Sequence, residues 1–200
     1  MDLLDRGSAG RRCPVKAGDI AVILLAAGQA SRFGGGKLTA ELAGKPLALH
    51  VGERLAAMPF GRKVLISSPA TPTIDGFESI ALQPAGAPLS RSIATGIAAV
   101  SGQSAALIVL ADMPLVPAEH FERLVEAFDG GSIGTSVAGR TMVPAIFSAR
   151  LFPALAALEG DRGAAALLRD VPAIALDETL ALDIDTPDDL AHAEALLQGR

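Results

Sequence analysis

The sequence predicts an α/β fold with three layers, α/β/α, in which helices cover both faces of a mainly parallel sheet. Residues 20–25 and residues 105–110 are continuous apolar runs, as expected of strands that are buried on both faces. Helical segments of about ten or more residues separate most of the predicted strands, and parallel strands need crossovers of that length. Such sheets bind ligands beyond the carboxyl ends of their strands, so functional residues are expected just after residues 25 and 110.

The first half of the chain alternates strands and helices. A helix over residues 46–58 is predicted from Pro46 in its first turn and from apolar side chains at i, i+3 and i+4 spacing. A helix over residues 90–100 follows the turn-forming sequence Gly86-Ala87-Pro88. The predicted strands of this half are residues 20–25, 63–67 and 78–82, the last with a weaker pattern.

The second half continues the alternation. Asp129-Gly130-Gly131 closes its first helix, and Thr186 followed by Pro187 predicts the start of its last. The predicted strands are residues 105–110, 132–137, 144–147 and 173–176. The predicted helices are residues 117–128, 150–158, 163–169 and 187–197.

Length and hydropathy limit the class of protein. At about 150 residues per domain, 200 residues correspond to about one domain, which we place at residues 19–200. Residues 1–18 lack the apolar run of a signal peptide, so a flexible N-terminal tail is expected there. The longest apolar run, residues 20–27, is far shorter than the ~18 residues of a membrane span, which predicts a soluble protein without a membrane partner.

Charge and residue types exclude further classes. The net charge is 17 − 22 = −5, and all seven aromatic residues are Phe. A chain with neither a basic surplus nor Tyr or Trp for stacking is not expected to bind nucleic acid. The single cysteine, Cys13, excludes an internal disulfide and a thiolate-rich metal site, and it fits a reducing, cytoplasmic location. The three histidines have no ligand spacing, so we expect them to be exposed or satisfied within the fold.

A glycine-rich segment with two cations follows the first predicted strand. Residues 28–37 contain four glycines together with Arg32 and Lys37. Glycine lets backbone N–H groups approach phosphate oxygens, and the two cations supply charge-assisted hydrogen bonds. The segment is not a P-loop, because Leu38 stands where Ser or Thr should follow Lys37, and it lacks the G-x-G-x-x-G spacing of dinucleotide-binding loops. The sequence therefore predicts a phosphate-binding loop of another type.

Carboxylates follow at two later places. Asp112 comes after a buried strand, where it is placed to hold Mg²⁺, although a cap of the turn before Pro114 is a plainer alternative. Asp183 and Asp185 are two residues apart, so in an extended segment they point to one side. We interpret Asp185 as a second metal contact and leave Asp183 open. Residues 188–189, at the start of the last helix, are interpreted as structural.

Together these motifs resemble the signatures of the MobA-like nucleotidyltransferases over about residues 20–197. The first signature is roughly L-A-[AG]-G-x-S-x-R-x-G-x-x-K followed by G-K-P-L. It is matched by Leu25-Ala26-Ala27-Gly28, Arg32, Gly34, Lys37 and Gly44-Lys45-Pro46-Leu47, with Ala30 where the family usually has Ser. Further matches are Asp112-Met113-Pro114 to the D-x-P metal motif, residues 182–190 to D-I-D-T-P-E-D-L, residues 92–96 to S-L-x-x-G and residues 158–163 to G-D-R-G.

The resemblance implies a Rossmann-like sheet of the nucleotide-diphospho-sugar transferase type and a set of functional residues. The implied catalytic residues are Arg32, Lys37 and Asp112, and the implied ligands of Mg²⁺ or Mn²⁺ are Asp112, Asp185 and Asp183. The implied nucleotide-binding residues are Leu25, Ala26, Ala27, Gly28, Arg32, Lys37, Ser92 and Gly96. The implied acceptor-side residues are Pro144, Asp161 and Arg162. Ser92 and Gly96 have an ordinary packing role as their alternative, and Asp161 a helix cap.

The resemblance also implies the substrates. The sequence Leu25-Ala26-Ala27-Gly28 favours cytosine, hence transfer of CMP from CTP to a phosphorylated acceptor, molybdopterin, with transient contact with molybdoenzyme maturation proteins. Cytidylyl members acting on molybdopterin commonly carry Gly and His or Asn where this chain has Met142-Val143, and Val143 offers no side-chain hydrogen bond. The alternatives are a guanylyltransferase of the same pathway, a sugar- or alditol-phosphate nucleotidyltransferase, and an inactive nucleotide-binding regulatory module.

Overall fold

The computed structural model describes residues 15–28, 33–160 and 163–199. In chain order the strands are β1 (Ile20–Ala26), β2 (Glu41–Leu42), β3 (Lys45–Pro46), β4 (Lys63–Ser67), β5 (Glu78–Ala81), β6 (Ala105–Leu110), β7 (Ser132–Val137), β8 (Arg140–Ser148) and β9 (Ala173–Ala175). The α-helices are α1 (Leu47–Ala57), α2 (Leu89–Ala99), α3 (Ala118–Ala127), α4 (Phe152–Ala156) and α5 (Pro187–Gln198). Short 3₁₀ segments span Ala17–Asp19, Lys37–Thr39, Ala149–Leu151 and Gly163–Leu168.

One sheet of seven strands forms the middle layer. Its order is β5-β4-β1-β6-β8-β7-β9, and β2 and β3 pair separately as a small hairpin. The pairs β4–β5, β1–β4, β1–β6 and β7–β9 are parallel, and only β8 runs against its neighbours. The predicted α/β/α fold with a mainly parallel sheet is confirmed.

The central strand β1 shows why a continuous apolar run is needed here. Its even-numbered residues belong to one apolar core with α1 and α3, and its odd-numbered residues belong to a second core with α2 and α4. None of its side chains is more than 6% exposed. At roughly 25 cal/mol per Å² of buried apolar area, these two cores are the main stabilising contribution to the fold.

Several element bounds differ from those predicted. The strand predicted at residues 144–147 is the middle of the longer β8, because residues 140–143 pair with the end of β7 in a hairpin that an apolar pattern does not mark. The predicted helix over residues 150–158 is α-helical only at Phe152–Ala156, and the one over 163–169 is a 3₁₀ segment. The β2–β3 hairpin was not predicted, since two-residue strands carry no periodicity.

A neutral polar cluster joins α3 to β7 and β8. The Nε2–H of His120 donates to Thr135 Oγ1 at 2.8 Å, and the Thr135 hydroxyl donates to the carbonyl oxygen of Pro144 at 2.6 Å. His120 Nδ1 is buried without a hydrogen-bond partner among the described residues, so the ring is neutral. Burial, and secondarily the charge of Arg123, lowers the pKa of His120 to about 4. His120 is therefore buried within the fold, as a histidine with a structural role, and the expectation of a satisfied ring holds for Nε2 but not for Nδ1.

His50 also has a structural role, because its Nε2–H donates a hydrogen bond to the carbonyl oxygen of Leu42 at 2.8 Å. The expected tail over residues 1–18 lies mostly outside the described residues. Within the described ranges, no helix combines the length and the apolar character needed to cross a membrane.

Candidate active site

The sheet order places two loop starts side by side. From β1 the chain passes through α1 to β4 on one side, and it later returns through α2 to β6 on the other side. Leu25 of β1 is in register with Leu110 of β6, and the N–H of Ala111 donates to the carbonyl oxygen of Leu25 at 3.0 Å. Because the connections diverge there, a crevice opens beyond the carboxyl ends of these strands, where the sequence predicted it.

A cavity of about 950 Å³ occupies this crevice. That volume lies at the upper end of the range of about 300–1,000 Å³ for small-molecule sites. Its walls come from the loops after β1, β4 and β6, from the start of α2 and from the segment before α5. The lining residues are Leu25, Ala26, Ala27, Gly28, Gly35, Gly36, Lys37, Leu38, Ser68, Ala70, Gly86, Ala87, Pro88, Leu89, Ser92, Leu110, Asp112, Asp183 and Asp185.

Three carboxylates meet on one wall of this cavity. Each of Asp112, Asp183 and Asp185 offers an oxygen atom within 4.8 Å of the others. The backbone brings them together, because the N–H of Ile184 donates to the carbonyl oxygen of Asp112 at 3.0 Å. Ile184 is 0% exposed within an apolar cluster, so its two neighbours in the extended segment turn toward the cavity.

The start of α5 holds Asp185 in place. Asp189 Oδ2 accepts hydrogen bonds from the backbone N–H of Asp185 at 3.1 Å and of Thr186 at 2.8 Å. The Thr186 side chain in turn accepts from the N–H of Asp189, which completes a capping box. Hydrogen bonds from Thr186 lower the pKa of Asp189. Asp189 is therefore structural, as predicted.

Lys37 reaches into the carboxylate cluster. Its Nζ donates to Asp112 Oδ2 at 2.7 Å and to Asp185 Oδ1 at 3.1 Å, and its side chain is only 11% exposed. Burial by itself would lower the pKa of Lys37, but the charge and hydrogen bond of Asp112, supported by Asp185 and Asp183, outweigh it and raise the pKa. The ammonium is therefore charged, and it faces carboxylates within the same cavity that is expected to hold the triphosphate.

The glycines before Lys37 explain how it reaches this position. Gly34, Gly35 and Gly36 have φ angles of 83°, 100° and 64°, a run of left-handed backbone that side chains with a Cβ rarely adopt. Gly36 caps the 3₁₀ turn Lys37–Thr39, and its carbonyl oxygen accepts from the N–H of Thr39 at 3.0 Å. The loop thus turns back toward the ends of β1 and β6.

The cluster fits a hard divalent cation. Asp112 Oδ1 is buried and accepts no hydrogen bond from the residues that the structure describes, although Oδ2 of the same carboxylate is bonded. Desolvation first, and then the charge of Asp112, raise the pKa of Asp183 to about 7, even though part of Asp183 faces solvent. Carboxylate oxygens are the protein ligands that Mg²⁺ and Mn²⁺ prefer, so the three neighbouring carboxylates could hold such an ion.

Arg54 of α1 contacts the loop that follows Asp112. Its Nη1 donates to the carbonyl oxygens of Pro114 at 2.9 Å and of Val116 at 2.7 Å, in the loop that follows Asp112. Arg54 was not among the predicted site residues, because its spacing indicates only a position on the buried stripe of α1. The signal that could have identified Arg54 is the presence of a cation on an otherwise apolar stripe of a helix.

The predicted residues are not all at the cavity. Ser92 lines it, whereas Gly96 is packed so closely against Ile23 that an added Cβ would clash with that side chain. Pro144 is buried within β8, where its carbonyl oxygen accepts from Thr135. Lys45 pairs with Glu53 at 2.7 Å. The predicted residues Arg32, Asp161 and Arg162 lie outside the described residues.

A second cavity of about 420 Å³ adjoins the first and shares Leu25, Leu89 and Leu110 with it. Apolar side chains dominate its wall, including Met142 and Val143 at the start of β8. Its charged lining residues, among those described, are Arg140 and Glu178. The two cavities are therefore neighbours at the carboxyl ends of β1 and β6.

A doubly wound sheet with a crevice at its switch point is the architecture of many nucleotide-binding α/β proteins. Residues 22–179 match the MobA-like NTP transferase domain. The chain belongs to this family.

A curated relative covers nearly the whole chain. A molybdenum cofactor guanylyltransferase from Cereibacter sphaeroides is 33% identical over 191 residues, which cover 88% of this chain and 96% of that protein. The family and this relative identify the chain as a nucleotidyltransferase.

Solved structures share the fold. A nucleotidyl transferase from Methanothermobacter superposes with a TM-score of 0.75 at 19% identity, covering 90% of this chain and 99% of the other. Rv0371c from Mycobacterium tuberculosis, solved in complex with manganese, gives a TM-score of 0.70 at 24% identity, covering 90% and 99%.

Proposed function

We propose that this chain transfers a nucleoside monophosphate from a nucleoside triphosphate to a phosphorylated acceptor of the molybdopterin class and releases pyrophosphate. The observation that carries the proposal is the meeting of Lys37 with three carboxylates on the wall of a nucleotide-sized cavity. The name of the 33% identical relative supports the molybdenum cofactor pathway.

The proposed chemistry is an in-line displacement at phosphorus. An oxygen of the acceptor phosphate forms a bond to the α-phosphorus, the bond from that phosphorus to the bridging oxygen breaks, and pyrophosphate leaves with the electron pair. A phosphate monoester has a second pKa near ~6 and is mostly dianionic at neutral pH, so no general base has to remove a proton. The residues act by positioning the anions and by offsetting their repulsion.

Asp112 and Asp185 would hold a divalent cation, with Asp183 beside them. When bound, the cation supplies Lewis-acid charge stabilisation to the phosphate oxygens. The manganese complex of Rv0371c supports a divalent cation of this kind, and we propose Mg²⁺ as the physiological ion. Lys37 and Arg32 would bind the triphosphate, and the glycines at positions 34–36 leave room for its oxygens.

Two observations differ on the base. The resemblance connects Ala27 with cytosine, and Ala27 lines the cavity with a side chain that is 3% exposed. The relative from Cereibacter sphaeroides is named as a guanylyltransferase. We propose CTP as the donor, as Ala27 indicates, and GTP as the alternative that the relative indicates. An Ala27→Gly variant tests whether Ala27 selects between the two nucleotides.

Pyrophosphate release tests the proposal. CTP and GTP are each offered with Mg²⁺ and either molybdopterin or an alditol phosphate, to the wild type and to Ala27→Gly. We expect release only with molybdopterin. If Ala27 selects cytosine, the wild type prefers CTP and the variant shifts toward GTP by about tenfold, because a removed methyl group is worth about 1–3 kcal/mol of discrimination.

Each other result changes a defined part of the proposal. A wild type that prefers GTP, with no shift in the variant, establishes guanylyl transfer and removes the role of Ala27. Release with the alditol phosphate alone replaces the acceptor class. Binding of nucleotide without release with either acceptor favours a regulatory module and contradicts transferase activity.

A further inference from the structure

Lys37 lies in the space that a shared divalent cation would need. Its Nζ is 2.7 Å from Asp112 Oδ2 and 3.1 Å from Asp185 Oδ1, and each of the three carboxylates offers one oxygen within 4.8 Å of the other two. A Mg²⁺ ion binds carboxylate oxygen at about 2.0–2.1 Å. An ion bridging the two oxygens that Lys37 holds would therefore overlap with the ammonium, and the two like charges would repel.

The same side chain borders the cavity expected to hold the triphosphate. Lys37 lines that cavity together with Gly35 and Gly36. A lysine carries its charge as a point at the end of a flexible four-carbon stem, with three donors that can change partners by rotation. Phosphate oxygens entering the cavity would offer Lys37 anionic acceptors without moving the backbone of the loop.

We propose that Lys37 and the divalent cation compete for the Asp112–Asp185 pair, and that the phosphates of the nucleotide complete the cation site by drawing Lys37 away. The nucleotide part of this inference rests on the proposed function, whereas the competition between lysine and cation does not. The cation therefore binds weakly to the free protein, in which Lys37 holds the two carboxylates. Because binding couplings are reciprocal, the nucleotide and the cation strengthen each other's binding.

Removing the lysine should strengthen cation binding. Mn²⁺ is titrated alone, with no nucleotide or acceptor, into the full-length wild type and into Lys37→Met, and free Mn²⁺ is read by electron paramagnetic resonance. We expect Lys37→Met to bind Mn²⁺ at least about tenfold more tightly, even though it would be a poor transferase. Unchanged or weaker binding overturns the proposal, because Lys37 and the cation would then coexist, for example through Asp112 Oδ1.

A matched variant separates competition from general charge. Lys45→Met removes the same charge from a lysine that pairs with Glu53 at the surface. We expect its Mn²⁺ affinity to stay within about twofold of wild type. An equal gain in Lys45→Met would mean that net charge alone is responsible and would overturn the proposal. Adding Asp112→Asn to Lys37→Met should remove the gain.

A measurement on the wild type avoids dependence on variant folding. Lysine acylation is followed by mass spectrometry as Mn²⁺ is raised to saturation in the absence of nucleotide. Displacement of Lys37 from its two carboxylates should raise its labelling several-fold, while the labelling of Lys45 stays constant. Constant labelling of Lys37 contradicts the competition. None of these results depends on turnover, so a failed transferase assay would leave this test intact.

Discussion

Two polar clusters lie in the same fold and differ in how their charges are balanced. The cluster of Asp112, Asp183 and Asp185 places three carboxylates around one lysine, so its acidic groups outnumber its cation. The cluster of His120 and Thr135 is neutral. In it, His120 donates to the Thr135 hydroxyl, which donates to the backbone carbonyl of Pro144. Since neighbouring carboxylates repel one another and hard cations prefer carboxylate oxygens, the first cluster is suited to a ligand and the second to a structural role.

The largest effect that tests this contrast is expected from Asp112→Asn. The substitution keeps the size of the side chain but removes the charge that would face the cation. We expect kcat/KM to fall by about 10²–10³-fold, the range measured when a group stabilising transition-state charge is removed. The free energy of unfolding should change by less than about 1 kcal/mol, because the weakened bond to Lys37, which keeps Asp185 as a partner, is offset by the relief of repulsion between Asp112 and Asp183. Near-normal turnover would exclude the metal role.

His120→Ala should show the opposite pattern. Removing a buried ring and its bond to Thr135 should lower the free energy of unfolding by about 3 kcal/mol, as measured by urea denaturation. The exposed His192 on α5 supplies the matched control, and His192→Ala should stay within about 0.5 kcal/mol. The kcat/KM of folded His120→Ala should stay within about twofold of wild type. A loss of activity without a loss of stability would connect this cluster with function.

The same histidine should make stability depend on pH. In the folded state the pKa of His120 is about 4, below its ordinary value of 6.5, so the unfolded chain binds the proton first as pH falls. Stability is therefore complete above pH ~6.5 and is lost toward pH ~4, by about 2 kcal/mol between pH ~6.5 and ~4.5. Urea denaturation of His120→Gln should show a correspondingly smaller loss. Parallel profiles for both proteins would contradict this assignment.

The smallest effect is expected from Arg54→Met. Loss of the bonds to the Pro114 and Val116 carbonyls should loosen the loop after Asp112 and raise the Mn²⁺ concentration for half-maximal turnover by about tenfold, as for other supporting residues at metal sites. Arg54→Lys should recover part of the loss. Arg62→Met, which removes a surface pair with Glu78, should leave the Mn²⁺ requirement unchanged. Reduced stability with an unchanged Mn²⁺ requirement would limit Arg54 to a structural role.

Features that depend on a single strand or segment could be predicted from the sequence. The continuous apolar run of β1 predicted a covered strand, and the two-residue spacing of Asp183 and Asp185 predicted their common side. Partners from distant elements could not be predicted. Neither the contact of Lys37 with carboxylates nor that of Arg54 with the Asp112 loop has a local pattern, because both depend on how separate loops pack. The packing of Gly96 against Ile23 is of the same kind.

The hydrogen bond from Ile184 to Asp112 joins positions that are 184 − 112 = 72 residues apart. Lys37 and Asp112 come from the first 112 residues, whereas Asp183 and Asp185 belong to the segment that leads into α5. A chain that ended before residue 183 would contain Lys37 and Asp112 but lack the other two carboxylates of the cluster. The cluster of three carboxylates is therefore complete only where the segment before α5 packs against the residues that follow β6, so it depends on a long-range contact of the chain.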